Sequence, residues 1–441
     1  MYPLRPAAIF AHSDLKRDPD AMVRMERIVG ALGRSLSDVD WYGPEDAPRV
    51  AAALDAWTPD KQKPDWKFEQ PLVFTRIRAE GTVEENPVLT TWPEGAPRTK
   101  IGPILGYINR FVDAHTPEKD FDAQYVCWPS MHIGPVSGCS HGCAYCGEGR
   151  GGKALVLALN VQEYLQTIVR KVVDDNPWQK CFLMIGWGAD LPTLEPEYGL
   201  YEDFLTLLAE YDDRYGYFHT NSDAVDWVEN LTHRDRLIGV WSMSCDEASR
   251  LIEPCAPLAS ARIEAVGKLC DWGVPARVKL KPILPVRGWR ESYAEMLAEL
   301  FERAMPETIG FTTMIWTPYE RLIQVIDTDL LEPDFVEAAR QADEEMKSSK
   351  LAPFPHEKRA EIYRFLIAET RKHAPKIPIF LSTESVDMWD ELAPELGQDP
   401  RRFLCGCNPV QGPGPRYLKS PVTESNYWTD KHGLEANPVE P

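Results

Sequence analysis

The stretch Val136-Ser-Gly-Cys139-Ser-His-Gly-Cys143-Ala-Tyr-Cys146-Gly-Glu-Gly-Arg-Gly-Gly152 carries the densest chemistry in the chain. It lies within residues 121–153, where Gly, Pro, Ser and Cys dominate. That composition suits a loop carrying a site more than a linker. The cysteines follow a CxxxCxxC spacing. Three thiolates this close can hold three corners of a cubane iron–sulfur cluster and leave one iron open to a small-molecule chelator. Gly138, Gly142 and Gly147 would let the backbone curl around such a group. Tyr145 could shield it or stack on a bound adenine. Zinc is the competing reading, with His132 or His141 as the fourth ligand. Zinc modules come as paired ligand knuckles and no second pair lies nearby, so the cluster is preferred.

On the C-terminal side of this loop the pattern alternates. Strands are predicted at Lys180–Ile185, Tyr215–Thr220, Leu237–Met243, Ala276–Leu284, Ile309–Ile315 and Lys376–Ser382. Helices are predicted at Val161–Asp174, Tyr201–Tyr211, Ala224–Leu231, Leu258–Trp272, Ser292–Ala304, Pro333–Met346 and His356–His373. Repeated βα units imply an α/β fold with a mostly parallel sheet covered by helices, either open or curled into a full or partial barrel. Residues 1–120, rich in Pro and charge, are expected to form an N-terminal extension. Residues 121–385 would be the barrel. Residues 386–441, Pro/Gly-rich from Asp399, would wrap the surface or a pocket mouth.

The chain has 441 residues, 44% hydrophobic and 26% charged, which excludes wholesale disorder. Lys plus Arg is 48 and Asp plus Glu is 68, a net charge of −20. That balance disfavours a broad nucleic-acid role and favours a cationic small molecule or a basic partner. The 14 Trp offer faces for sugars and cations. No apolar run is long enough for a membrane span. The start, MYPLRPAAIFAHSDLKRDPD, does not read as a secretory signal. Ten Cys are too dilute for a disulfide scaffold, so a reducing cytoplasm is the expected compartment.

CxxxCxxC with an aromatic before the third Cys, followed by βα repeats, resembles the radical S-adenosylmethionine (SAM) superfamily. The resemblance implies a partial (β/α)6 TIM-type barrel with N-terminal and C-terminal extensions, and a [4Fe-4S] cluster on Cys139, Cys143 and Cys146. It also implies SAM as cofactor and an external electron donor such as a flavodoxin, ferredoxin or reductase. Over about 135–385 the chain is similar to the spore photoproduct lyase branch. The segment Trp241-Ser-Met-Ser-Cys-Asp-Glu-Ala-Ser-Arg-Leu-Ile-Glu-Pro254, the helix Arg262-Ile-Glu-Ala265, and the pairs Pro282-Ile283 and Gly288-Trp289 carry that likeness. It implies that Ser242 and Ser244 touch SAM, Asp190 meets the ribose and Arg262 meets the carboxylate. The chain also departs from the branch. Trp187 stands where a hydrogen-donating Cys is expected, the third cluster Cys is followed by Gly147-Glu-Gly-Arg-Gly-Gly152, and Asn221 replaces an expected basic residue.

These departures, with the acidic balance, point to a small polyhydroxylated, cationic substrate such as an aminoglycoside or amino sugar. Asp190, Asp223, Glu320 and Glu384, with Trp187, Trp241, Trp289 and Trp316, are expected at strand ends, where barrel sites gather polar groups. By analogy with aminoglycoside-pathway radical diol dehydratases, the reaction would be radical dehydration of a diol, a lyase reaction of antibiotic biosynthesis. Glu320, Tyr319 or His219 would be its acid. Two alternatives stand beside this: lesion repair on DNA, and a non-enzymatic iron–sulfur or zinc module. Cys405-Gly-Cys407 could bind a second cluster or metal with Cys127, or act as a redox pair. Cys245, Cys255 and Cys270 read as small buried hydrophobes.

Overall fold

The structure is a computed structural model describing residues 3–63, 65–108, 111–115, 125–128, 130–185, 188–400 and 402–420. Its strands in chain order are β1 (Ile9–His12), β2 (Asp40–Tyr42), β3 (Leu72–Thr75), β4 (Phe111–His115), β5 (Tyr125–Val126), β6 (Ser130–Ile133), β7 (Val136–Ser137) and β8 (Leu155–Ala158). There follow β9 (Cys181–Met184), β10 (Tyr215–Thr220), β11 (Leu237–Met243), β12 (Ala276–Ile283), β13 (Ile309–Thr313), β14 (Ile379–Leu381) and β15 (Glu384–Ser385).

A first sheet has the order β2-β1-β3-β8-β7, parallel except for the β7–β8 pair. β1, β3 and β8 are short and buried throughout. The N-terminal segment therefore builds a small α/β layer, which β7 and β8, from beyond residue 121, complete. β8 follows the cysteine loop directly, so this sheet pins the far end of the loop.

The second sheet has the order β14-β13-β12-β11-β10-β9-β6-β4, with β4 alone antiparallel. Its seven parallel strands form a curled half-barrel, the α/β class expected. Alternation along each strand explains why it stands where it does. Phe182, Met184, Phe218, Trp241, Met243, Val278, Leu280 and Phe311 face outward into the main core. The helices Leu200–Leu208, Ala259–Asp271, Trp289–Arg303 and His356–His373 supply the opposing apolar faces of that core. The neighbours between them face inward. Cys181, Leu183, Tyr217, Ile238 and Val240 make a separate small cluster, joined by Cys407 and Leu418 of the tail.

The tail fills the N-terminal end of the lumen. Lys180 N and Cys181 N both donate to the Pro409 carbonyl at 2.8 Å. Arg277 donates to the carbonyls of Gly406, Gln411 and Gly412 at 3.3, 3.0 and 2.9 Å. The tail thus plugs the barrel from inside instead of lying over its outer surface. No helix among the described residues is long and apolar enough to cross a membrane.

Some local expectations differ from what forms. Residues 224–231 make only a 3-10 turn at Asp226–Asn230, and the expected helix 333–346 is split into Pro333–Gln341 and Asp343–Met346. Trp241 and Trp289 are fully buried core residues and do not face a pocket. Trp187 lies outside the described residues.

Candidate functional site

The cysteine loop leaves the C-terminal end of β6, the first parallel strand of the half-barrel. Gly138 sets its entry: φ is +103°, and a Cβ there would lie 2.2 Å from the Ala154 carbonyl oxygen. Gly149 is equally constrained, since its Cβ would meet Cys143 O at 2.5 Å. A Cβ at Gly142 would press on Trp66 at 2.9 Å, whereas Gly147, expected to matter, has open space. Gln70 Nε2 donates to the Cys139 carbonyl at 2.9 Å, and Ala144 N donates to the Ile252 carbonyl at 2.7 Å. The loop is therefore tied both to the N-terminal layer and to the helix after β11.

Lys67, fully buried, donates to the carbonyls of Glu148 and Gly152 at 3.0 and 2.8 Å. Burial pushes its ammonium down to about 8, against the pull of Cys139 and Glu148. Burial likewise raises the thiols of Cys139 and Cys143, reinforced by Asp190 and Glu253 respectively. The donor set is all sulfur, which suits an iron–sulfur cluster, and a cation bound there would displace the protons that burial favours. Among the described residues no three His, Cys, Asp or Glu side chains already converge as a metal shell. The loop gathers the donors without presetting their geometry. His141 does not complete a zinc set: its Nε2 lies 3.1 Å from Asp190 Oδ2 and its Nδ1 3.2 Å from the Cys255 carbonyl.

Two buried networks back the loop. Asp190, just past β9, accepts from Thr220 Oγ1 at 2.6 Å and from Asn221 N at 2.8 Å, besides facing His141. Its carboxylate therefore bridges the cysteine loop to the end of β10. The second network centres on Glu253, which the sequence reading did not single out beyond its place in a matching segment. Tyr145 OH donates to Glu253 Oε1 at 2.7 Å and Asn221 Nδ2 to the same oxygen at 2.9 Å. The Arg262 guanidinium pairs with Glu253 Oε2 and also donates to the carbonyls of Ser242 (3.0 Å) and Pro257 (2.9 Å). Both side chains of that ion pair are completely buried. Burial opposes the Arg262 charge, and Glu253 outweighs it. Arg262 is thus spent on fixing the β11 end. Burial pushes the Tyr145 hydroxyl well up, so it acts as a donor.

The remaining expected residues fall into two zones. Ser242 and His219 face the lumen, with His219 Nε2 and Ser242 Oγ 2.8 Å apart. Burial, then Lys279, Lys281 and His132, holds His219 well below its ordinary value, so the imidazole is neutral near neutral pH. Ser244 is buried and donates to the Pro282 carbonyl. Tyr319 is half-buried and Glu320 exposed, on the first turn of the helix Tyr319–Val325 beyond β13. Their charged neighbours include Arg340 of the helix Pro333–Gln341 and Lys347 just past Asp343–Met346, and no hydrogen bond among the described residues links them to His219. Glu384 is a structural group: Arg359 holds it at 3.0 and 3.2 Å and Tyr363 at 2.9 Å, all buried. Of the three strand-end Trp among the described residues, Trp316 alone is exposed, at 60%, in a left-handed backbone with φ 53°.

No protein-family model and no curated protein matches the sequence. Solved structures do. A double mutant of spore photoproduct lyase with bound AdoMet and dinucleoside spore photoproduct superposes with a TM-score of 0.59 at 14% identity. The match spans 87% of this chain and 100% of that one. This chain has the fold of spore photoproduct lyase. The lyase complexed with dinucleoside spore photoproduct gives 0.57 at 14% identity, over 86% of this chain and 98% of the other. The match covers 87% of the chain, more than the 135–385 span over which the sequence alone shows a likeness.

Proposed function

We propose that this chain is a radical SAM enzyme that dehydrates a diol in a small polyhydroxylated, cationic metabolite such as an amino sugar. The observation that carries the reading is the all-thiol CxxxCxxC loop at the C-terminal end of the first parallel strand of a half-barrel. Cys139, Cys143 and Cys146 would hold a [4Fe-4S] cluster, which with SAM and an external electron donor supplies a 5′-deoxyadenosyl radical able to take hydrogen from carbon. Tyr145 and Ser242 would border SAM, while Ser244, buried with its hydroxyl on the Pro282 carbonyl, would support the end of β11. Asp190, Glu253 and Arg262 hold that side rigid, which favours a positioning role for Arg262 over direct contact with the SAM carboxylate.

His219, neutral in the lumen, would accept a hydrogen bond from the carbinol hydroxyl and carries no proton to give as the acid. The leaving hydroxyl would then draw its proton from Tyr319 or Glu320 at the rim. Exposed Asp223 and Glu320 with Trp316 offer charge and an aromatic face to a cation. A reducing cytoplasm would suit both the cluster and the ten free cysteines.

Anaerobic reconstitution with iron, sulfide, dithionite and SAM tests the reading. A brown protein that releases 5′-deoxyadenosine, and loses that activity in Cys143→Ala, is the expected result. A fully loaded protein that leaves SAM intact would overturn it. A second reading, repair of a DNA lesion, comes from the substrate named for the matching lyase structures. Salt-dependent binding of a thymine-dimer oligonucleotide would support repair; its absence, with turnover of an aminoglycoside, would exclude it.

A further inference from the structure

The chemistry above leaves unused a group of sulfurs at the floor of the barrel. The tail turns at Cys405-Gly406-Cys407 against the inner face of β12, where Lys279 Nζ donates to Cys407 Sγ at 3.0 Å. The turn is wedged: a Cβ at Gly406 would lie 2.9 Å from Lys279 Cε and 3.3 Å from Val240 Cγ1. Tyr217 OH donates to the Cys407 carbonyl at 3.2 Å, and Gln411 Oε1 accepts from Cys405 N at 2.9 Å.

Lys279 is only 2% exposed. A buried ammonium needs a counter-charge. Burial works against its charge, and the groups that outweigh burial are all sulfur: Cys407, Cys405 and Cys127. A hydrogen bond from Cys405, opposed by burial and helped by Lys279 and His132, holds Cys407 well below the ordinary thiol range. Burial raises Cys405, which stays protonated as the donor. Lys281, pushed down to about 8 by burial and by Lys279, adds to the positive field when protonated. Cys181 on the same inner face is the contrast: its thiol donates to the Gln411 carbonyl at 3.2 Å and burial pushes it up to about 12. An inert buried thiol and an activated one thus stand side by side.

We propose that Cys405 and Cys407 form a redox-active thiol pair on the floor of the barrel lumen, a two-electron reductant whose oxidised form is the Cys405–Cys407 disulfide, with Lys279 as counter-ion to Cys407. The oxidant is a small disulfide of the glutathione class. The Cys407 thiolate attacks one of its sulfurs, and the other leaves as a thiolate with the electron pair of the broken bond. Cys405 then attacks Cys407 Sγ, the second thiol leaves, and the Cys405 proton passes to it. A metal shared with Cys127 is the competing reading, and the test below separates the two. The pair does not depend on the radical reading.

The test uses the full-length protein, equilibrated without oxygen in glutathione buffers of stepped potential, quenched in acid, alkylated and digested with trypsin. The peptide from Phe403 to Arg416 should lose two hydrogens with a single midpoint. Cys405→Ser should instead accumulate a glutathione adduct on Cys407. Lys279→Gln should slow oxidation about tenfold, with Lys279→Arg restoring most of the rate. A peptide that stays a dithiol in every buffer, a disulfide that joins Cys127 instead of Cys405, or a metal co-purifying in proportion to these thiols would each overturn the proposal. SAM cleavage enters none of these readouts, so failure here and failure of the radical reading are separate results.

Discussion

Arg262 shows how a residue's role depends on what it meets in space. Its place in a matching helix suggests a ligand for SAM, yet its charge is neutralised by Glu253 in a site with no solvent. Breaking such a pair leaves one charge buried and alone. Arg262→Met should therefore lower the unfolding free energy by about 3–5 kcal/mol, and adding Glu253→Gln should recover a large part of it. Urea denaturation of the single and double variants checks this; equal stabilities would show the pair to be incidental. His219 makes a second case. Its folded pKa lies below the ordinary 6.5, so the unfolded chain binds the extra proton first as pH falls. Stability is then intact above about pH 6.5 and declines below it, by up to about 1.4 kcal/mol per pH unit. His219→Gln should flatten the acid limb of stability against pH by one proton. The CxxxCxxC spacing that carries the cluster proposal is legible because it is local. Glu253 was not, because its partners come from a loop, the end of β10 and a helix that only the fold brings together. Glu384 misled for the same reason: Arg359 on a separate helix absorbs its charge.

At the level of elements, the cysteine loop rests on particular glycines. Gly138 needs a left-handed backbone and has no space for a Cβ, whereas Gly147, next to Cys146, has both an ordinary backbone and open surroundings. Gly138→Ala should cost about 2 kcal/mol or more and reduce iron loading, while Gly147→Ala should stay within about 0.5 kcal/mol with loading unchanged. Iron content and thermal unfolding of the two variants separate the cases; the same loss in both would mean that the loop tolerates no side chain anywhere. Sequence reading ranked these glycines alike, since composition does not reveal φ. The strands were legible in the same uneven way. β9 to β14 stand out as apolar runs between helices. β1, β3 and β8 are four residues each, set among prolines, charges and glycines, too short for a period to show. The inner positions of β12 read as charge in an otherwise apolar run, and only the curl of the sheet explains why Arg277, Lys279 and Lys281 share one face.

For the whole molecule the decisive contact is the tail inside the barrel. A half-barrel leaves its inner face open on one side, and the apolar cluster of Leu183, Tyr217, Ile238 and Val240 must be covered by something. Residues 403–420 do so, and Arg277 at the base of β12 clamps them through three carbonyls while keeping Glu307 at 3.0 Å. The Pro/Gly-rich composition that marks this segment as a surface tail is what lets it turn sharply enough to enter the lumen. If the tail belongs to the core, deleting residues 403–441 should expose the inner cluster, lower the unfolding midpoint and raise binding of an apolar dye. Arg277→Met in the intact chain is the milder form. It leaves the Gly406, Gln411 and Gly412 carbonyls without their donor, and should cost about 1–3 kcal/mol for each that stays dry. A truncated chain as stable and as dye-free as the intact one would mean that the half-barrel closes without its tail. The floor that positions Cys407 would then be a consequence of the fold and not a support for it.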